Sequence, residues 1–458
     1  MLPLPSLLSF GAVAAPSVTA VARRALPIAL ALALGGCATY TDRLRNASLA
    51  TTAGNYEHAV AEIDDVLGVG SSDELPARLG ADKALTVLER GVLQQSLRRH
   101  RASARDISAA EKEIEVIELS TDPVGTIGRY VYSDTAQPYR ALATERLALN
   151  PLNLLNYLAL GDLDGAAVEA RRFQVMREYL EGEGRKLGSE AVLGTYLAGF
   201  VFEHRGERDR ALRYYEETLE RCRLENLTTP VQRLSAAGSY RGPRLSELLE
   251  RAPPRREAAG GEVLVVVSAG RVPHKEPERV PVGVAFGIAG TYVTGDIDWL
   301  KYSAGKVVVY PELKETPSVL GPPQVHLDGH PIELEELVDL GFLVRGEYEK
   351  MKPMIVAAAL SRVASRAAVA EGVRAAGKQE SQLLGDVLSI LAEGAMVALD
   401  RPDTRSWTTL PERVFVARVP AEPGAHIVDV SFGGAASRRV DVTVGAGGYG
   451  VAVVTEPR

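Results

Sequence analysis

A change of periodicity in the middle of the chain constrains the fold more than any other feature. Across residues 39–251, apolar side chains recur at the roughly three-to-four-residue spacing of amphipathic helices. Residues 262–268 (EVLVVVS) form a largely apolar run beside glycines, which predicts a buried strand. Between the two, residues 251–261 are rich in Pro, Gly and Arg, which is typical of a linker. The sequence therefore predicts an α+β fold, with a helical array followed by a β-rich domain that carries a helical insertion.

Chain length sets the number of domains that we expect. At 458 residues the chain exceeds one ordinary hydrophobic core, so two or more domains are the expectation. After an N-terminal signal peptide at 1–36, we predict a helical domain at 37–250, a linker at 251–261, the first part of a β-rich domain at 262–345, a helical insertion at 346–400 and a C-terminal β unit at 401–458.

One pattern recurs in the helical half. In residues 195–220, Gly199 and Tyr215 are placed on two successive helices with Gly206 in the turn, and this spacing resembles the tetratricopeptide (TPR) repeat. Small residues suit positions where antiparallel helices cross closely. We place the turn glycines of the related units at Gly54, Gly91, Gly161 and Gly206. Their uneven spacing indicates degenerate repeats, and a generic array of helical hairpins is the alternative. Either would give an extended surface suited to protein segments.

The C-terminal half alternates between strand and helix patterns. Beyond residues 262–268, we predict strands at 282–288, 306–310 and 325–327 and a proline-rich loop at 270–281. Helical periodicity at 352–399 predicts two helices packed on a sheet, with a pair lying on a membrane as the alternative. The tail predicts strands at 414–419, 426–430, 440–444 and 451–454, the first two as a β-meander. Together these strands predict a small β-sandwich, appended to or completed by the earlier ones.

The N-terminus carries a targeting pattern. Arg23 and Arg24 precede the apolar run 25–34, which is too short to span a bilayer at about 20 residues per helix but fits a signal peptide. The run ends in Leu34, Gly35, Gly36 and Cys37. This sequence resembles the bacterial lipoprotein box, in which the peptidase recognises the residues before a cysteine that is lipidated. The alternative is an uncleaved helix with a chance cysteine.

The lipoprotein resemblance has consequences for location. It implies that the mature chain begins at Cys37 and is held on a membrane by its lipid. Ala38 stands where the inner-membrane retention signal of enteric lipoproteins has aspartate, so the resemblance favours the periplasmic side of the outer membrane. With Cys37 lipidated, Cys222 is the one remaining cysteine and no disulfide can form within the chain.

Composition and sequence motifs argue against several classes of function. The formal net charge is −7 and the chain has no large basic block, which argues against nucleic acid as a partner. The seven histidines are scattered without the spacing of a metal site, and we predict no cofactor. Metalloprotease, phosphate-loop and nucleophile-elbow motifs are missing, so we do not expect an enzyme. A cell-wall hydrolase whose site is assembled only in three dimensions stays open.

Two segments are candidate interaction sites. Asp403, Arg405 and Trp407 lie close together, and Arg and Trp are enriched at interface hot spots. Their structural alternative is an Asp–Arg pair and a packed Trp at the entry to the last β unit. His274 and Lys275 lie in the charged, proline-rich stretch 270–278, for which a solvated connection between strands is the alternative.

Three stretches, residues 155–173, 263–281 and 403–411, resemble a family of TPR-type lipoproteins of Proteobacteria. Together with the lipoprotein box, the resemblance covers most of the mature chain. Members of that family are often encoded near lipoproteins that activate penicillin-binding proteins. The resemblance implies a scaffold for an envelope protein partner in peptidoglycan synthesis or outer-membrane machinery. A self-assembling subunit of a secretion or surface structure and a peptidoglycan-active enzyme are the alternatives.

Overall fold

A computed structural model describes residues 38–119, 139, 141–254, 260–292, 307–377, 402–445 and 448–458. In the N-terminal half, the helices of eight or more residues are α1 (Arg45–Thr52), α2 (Tyr56–Leu67), α3 (Ala81–Ser96), α4 (His100–Leu119), α5 (Ala143–Ala159), α6 (Leu163–Gly182), α7 (Val192–His204), α8 (Arg208–Leu219), α9 (Thr228–Ser235) and α10 (Pro243–Arg251). A single helical turn, Tyr40–Arg43, precedes α1.

These helices pack as hairpins: α1 with α2, α3 with α4, α5 with α6 and α7 with α8. The first helices α3, α5 and α7 are buried along nearly their whole length, whereas the second helices keep an exposed face. Gly199 on α7 lies against the ring of Tyr215 on α8, where a Cβ atom would overlap the ring. The predicted helical array, with small residues at its helix crossings, is therefore confirmed.

Three of the four predicted turn glycines lie in hairpin turns. Gly54, Gly161 and Gly206 have φ values of 76°, 71° and 78°, the left-handed conformation that favours glycine after a helix.

The placement of Gly91 in a turn is wrong, because this residue lies inside α3. A Cβ atom there would be 2.8 Å from Cγ1 of Ile107 on α4, so the glycine allows a close helix crossing. The turn of this hairpin instead contains Arg98, with a φ of 61°.

The strands of the C-terminal half are β1 (Gly261–Ala269), β2 (His274–Pro281), β3 (Val307–Lys314), β4 (Pro323–Leu327), β5 (His330–Ile332), β6 (Glu335–Asp339), β7 (Arg413–Ala421), β8 (Gly424–Phe432), β9 (Ser437–Val444) and β10 (Tyr449–Glu456). Sheet 1 has the order β10-β1-β7-β6, and sheet 2 has the order β5-β4-β8-β9. Strand β1 is parallel to β10, and the other described pairs are antiparallel.

The two four-stranded sheets share one apolar core and so form the predicted β-sandwich, which earlier and later strands complete together. The predicted β-meander of the tail is wrong, because β7 pairs with β1 and β6 whereas β8 pairs with β4 and β9. The turn between β7 and β8 carries the chain from one sheet to the other.

Two further predictions are corrected at residues 270–289. The predicted loop contains β2, which pairs with β3 in a two-stranded sheet where Pro277 lies opposite Pro311. Prolines are tolerated in such edge strands because half of the backbone N–H groups need no partner strand. The predicted strand at 282–288 is a helix, α11 (Val282–Ala289). A short apolar run is compatible with either structure, and periodicity does not separate them.

Sheet 1 lies between the helices and sheet 2. In β1, Leu264 and Val266 join the core that the helices form, whereas Val263, Val265 and Val267 join the core of the sandwich. Burial on both faces explains why the sequence of β1 is an unbroken apolar run rather than an alternating one. Residues on the two sides of the predicted linker therefore share one core, and Thr39–Arg362 with Pro402–Arg458 form one compact unit.

Helix α12 (Leu340–Gly377) begins the predicted helical insertion. Its residues from Val363 onward belong to a different compact unit from the one just described. The second helix predicted in this insertion lies outside the described residues. Within the described parts of the chain, no helix combines the length and apolarity needed to cross a membrane.

Candidate functional site

The predicted lipidation site is not covered by the structure. Leu34, Gly35, Gly36 and Cys37 lie outside the described residues, so the lipoprotein box stays a prediction.

The structure brings the two candidate interaction segments together. The backbone N–H of Lys275 donates a hydrogen bond to Oγ of Ser406 at 3.3 Å, and Nζ of Lys275 donates to the carbonyl of Arg405 at 3.1 Å. These partners are about 130 positions apart in the sequence. The two segments therefore belong to one site, which the sequence did not indicate.

Arg405 forms an ion pair within its own segment. Its Nε and Nη2 atoms donate to the two carboxylate oxygens of Asp403 at 2.7 and 2.8 Å, and its Nη1 donates to Asp82 on α3 at 3.1 Å. Burial would lower the pKa of Arg405, but the two carboxylates raise it above its ordinary value. Arg405 is 3% exposed and Trp407 is 1% exposed. Both elements of the structural alternative, an Asp–Arg pair and a packed Trp, are therefore present.

The backbone beyond Arg405 is held by buried carboxylates of the helical array. The N–H of Trp407 donates to Glu145 on α5 at 3.0 Å. The N–H groups of Thr408 and Thr409 donate to the two oxygens of Glu89 on α3, each at 2.7 Å. Residues 403–410, called here the clasp segment, thus lie on the first helices of two hairpins. In TPR-like arrays this inner face is the surface that binds peptides, and here the chain's own segment lies on it.

Glu89 is fully buried beneath the clasp segment. Burial raises its pKa from 4.5 to about 7, although the hydrogen bonds from Thr409 and Thr408 act in the opposite direction. The hydroxyl of Tyr40 lies 3.5 Å from the same carboxylate. This carboxyl group therefore titrates within the physiological pH range.

Trp407 lies at a small, largely apolar cavity of about 20 Å³, which Leu88, Ile114, Leu149 and Met176 also line. Its indole Nε1 is buried and has no hydrogen-bond partner among the described residues. The indole ring thus anchors the clasp segment by packing alone.

His274 has partners on both ring nitrogens. Its Nδ1 lies 3.0 Å from the hydroxyl of Thr316, and its Nε2 lies 3.2 Å from a carboxylate oxygen of Glu276. This order of hydroxyl, imidazole and carboxylate resembles a catalytic triad. However, the Thr316 hydroxyl donates a hydrogen bond to the carbonyl of Val272 at 2.9 Å rather than to His274. The three residues line none of the clefts described here, so the arrangement better fits a connection between β2 and the end of β3.

A second buried polar cluster joins the helices to sheet 1. Arg418 on β7 donates to Glu203 on α7 at 2.9 Å and to both oxygens of Glu262 on β1 at 2.6 and 2.8 Å. Arg233 on α9 bonds to the same two carboxylates, and Tyr215 donates to Glu203 at 2.5 Å. Burial would raise the pKa values of Glu203 and Glu262, but the charge of Arg418 lowers both.

This cluster includes a possible set of metal ligands. Three potential ligand atoms lie within 4.8 Å of one another, and they come from Glu203, His204 and Glu262. Arg418 already occupies oxygens of both carboxylates, and a cation would have to displace this fully buried guanidinium. The residues therefore fit an ion-pair network better than a metal site. Sequence reasoning missed this cluster because its members lie on five separate elements.

Cys222 is an unreactive thiol at neutral pH. Burial raises its pKa to about 12, and the opposing charge of the neighbouring Arg221 is the smaller effect. The flanking arginines therefore do not lower the pKa of this thiol below its ordinary value.

Comparisons with known proteins give no independent assignment. No family model matches the chain, and neither does any curated protein or solved structure. The family resemblance drawn from the sequence therefore stays a prediction.

Proposed function

We propose that this protein is a lipid-anchored scaffold on the periplasmic side of the outer membrane, which binds another envelope protein. The predicted lipoprotein box supports the anchor, and the resemblance to TPR-type lipoproteins supports a role in peptidoglycan synthesis or outer-membrane machinery. The helical hairpins support protein binding, because such arrays offer extended surfaces rather than deep pockets.

One observation carries the proposal and selects the binding face. The inner face of the array is covered by sheet 1 and the clasp segment, which leaves the outer helices for a partner. On α6, Val168, Val175 and Tyr179 are 40%, 66% and 38% exposed. Their spacing places them along one side of the helix. An exposed apolar row of this kind is typical of protein interfaces, so we propose that the partner binds across α6.

The test is site-specific photocrosslinking in intact cells. A photoreactive phenylalanine analogue replaces Val175, and the same analogue at Lys112, exposed on the neighbouring outer helix α4, is the matched control. We expect one defined envelope protein to be captured from position 175 and lost when Val168→Asp is added. Equal capture from both positions, or none from position 175, would contradict the proposed face.

Two further measurements separate this proposal from its alternatives. Cys37→Ser should move the protein from the membrane fraction to the soluble periplasm, and retention in the membrane would contradict the lipid anchor. A self-assembling subunit would instead capture copies of itself from position 175 and would form stable oligomers in light scattering.

A further inference from the structure

A cleft lined by arginines lies between the end of α8 and helix α10. Its cavity volume is about 340 Å³, at the lower end of the range of small-molecule sites. Its charged lining residues are Arg221, Arg223, Arg244, Arg251, Glu220 and Glu247. These four arginines define the arginine cleft, which is separate from the proposed protein-binding row on α6.

The arginine cleft has a local charge opposite to that of the chain. Its four arginines exceed its two glutamates by two positive charges, whereas the whole chain has a net charge of −7. Arg244 and Arg251 share one carboxylate, Glu247, at 3.0 and 3.6 Å. Arg221 lies 3.7 Å from Glu220, whose side chain is half exposed. Arg223 also pairs with Glu225, just outside the cleft lining, at 3.0 Å. The four guanidinium groups thus share three carboxylates, which leaves a surplus of one positive charge.

Arg221 has an unused hydrogen-bond donor. Its Nη1 donates to the carbonyl of Glu217 at 2.7 Å, but its Nε is buried and has no partner among the described residues. Buried donors in folded proteins are nearly always paired. This Nε has almost no accessible surface, so a ligand can bond to it only after the side chain turns toward the cleft.

The two sides of the arginine cleft are fixed relative to each other. Glu216 on α8 accepts hydrogen bonds from the backbone N–H groups of Arg244 and Leu245, each at 2.9 Å, and so caps the first turn of α10. Gly242 leaves room for this carboxylate, because a Cβ atom at that position would overlap it. The arginines of α10 are therefore held in place before any ligand arrives, which favours binding.

We propose that the arginine cleft binds the phosphate group of an anionic ligand. A phosphate group carries a charge of about −1.5 to −2 at neutral pH and several acceptor oxygens, which suits a cleft that four guanidinium groups line with a surplus of positive charge. The planar guanidinium fork suits such tetrahedral anions because it donates two parallel hydrogen bonds. The phosphate can come from a soluble molecule or from the headgroup of an anionic phospholipid.

Calorimetric titration with inorganic pyrophosphate tests the proposal. The full chain carries Cys37→Ser so that it stays in solution, and Arg221→Gln and Arg244→Gln are the test variants. Arg439→Gln is the matched control, because Arg439 is exposed on β9 and pairs with Asp429 at 2.7 Å, outside the cleft. We expect saturable binding that each test variant weakens about tenfold and that the control leaves unchanged.

A second readout is thermal unfolding of the same chains. Pyrophosphate should raise the midpoint of thermal unfolding of the parent chain and of the Arg439→Gln control, and it should not raise the midpoint of Arg221→Gln. Circular dichroism of each variant checks that the fold is retained.

Vesicles distinguish the two sources of the phosphate. Flotation with phosphatidylglycerol vesicles but not with phosphatidylcholine vesicles, lost in Arg244→Gln, would assign the site to a lipid headgroup. Binding of pyrophosphate without flotation would assign it to a soluble ligand. The proposal is overturned when neither probe binds, or when the test variants bind as the control does.

Discussion

The carboxyl group of Glu89 gives the most direct test of how the clasp segment is held. It is fully buried, and its pKa is raised from 4.5 to about 7, mainly by burial. The folded chain thus binds this proton more tightly than the unfolded chain does. The stability that this group contributes is complete below pH 4.5 and is lost as the pH rises through 7. A rise from 4.5 to about 7 corresponds to about 3 kcal/mol.

The perturbation is Glu89→Gln, which removes the titration and keeps the shape of the side chain. The amide accepts the N–H groups of Thr408 and Thr409 less well than a carboxylate does, but it does not titrate, so its own contribution to stability does not change with pH. The quantity of interest is the difference in the free energy of unfolding, parent minus variant. We expect this difference to fall by about 3 kcal/mol between pH 4.5 and pH 8.

Urea unfolding followed by circular dichroism at several pH values measures this difference. All other carboxyl groups are present in both chains, so their titrations cancel in the subtraction. A difference that stays constant with pH, or that grows as the pH rises, would refute the reasoning. It would mean that the hydrogen bonds from the clasp segment, rather than burial, dominate the pKa of Glu89.

Other predictions concern packing between the layers. Arg418→Ala leaves the two buried carboxylates with Arg233 as the arginine that still bonds to them, and it should lower the free energy of unfolding by about 3–5 kcal/mol. Glu262→Gln added to it should recover part of the loss in the same urea assay. Gly199→Val places a side chain into the ring of Tyr215 and should cost about 1–3 kcal/mol in thermal unfolding. Gly182→Ala is its matched control, because nothing lies within 4 Å of that Cβ position, and a comparable loss there would contradict the crossing argument.

Local patterns in the sequence predicted most helices and strands. The predictions that were wrong also have local causes. The helical array follows from the period of the apolar residues, and the tail strands follow from their alternation. Gly91 was misplaced because a glycine at a helix crossing and a glycine in a turn are the same residue in a sequence. The strand β2 was missed because its prolines argued against pairing, although it pairs with one neighbour only.

The site was predictable only where its partners are close in the sequence. The pairing of Asp403 with Arg405 spans two positions and was foreseen as an alternative. The bond between Thr409 and Glu89 spans 320 positions, and nothing near either residue indicates the other. The cluster around Arg418 was missed for the same reason, since its bond to Glu203 spans 215 positions.

The covered inner face changes what the resemblance to TPR repeats implies. A peptide that enters this face must replace three backbone hydrogen bonds to Glu89 and Glu145, each worth about 0.5–1.5 kcal/mol. It must also expose Trp407 and break the ion pair of Arg405. A partner that binds the outer helix α6 incurs none of these costs. The helical array in this chain therefore serves first as the surface on which its own β-sandwich is built, and a partner is best accommodated on the opposite side.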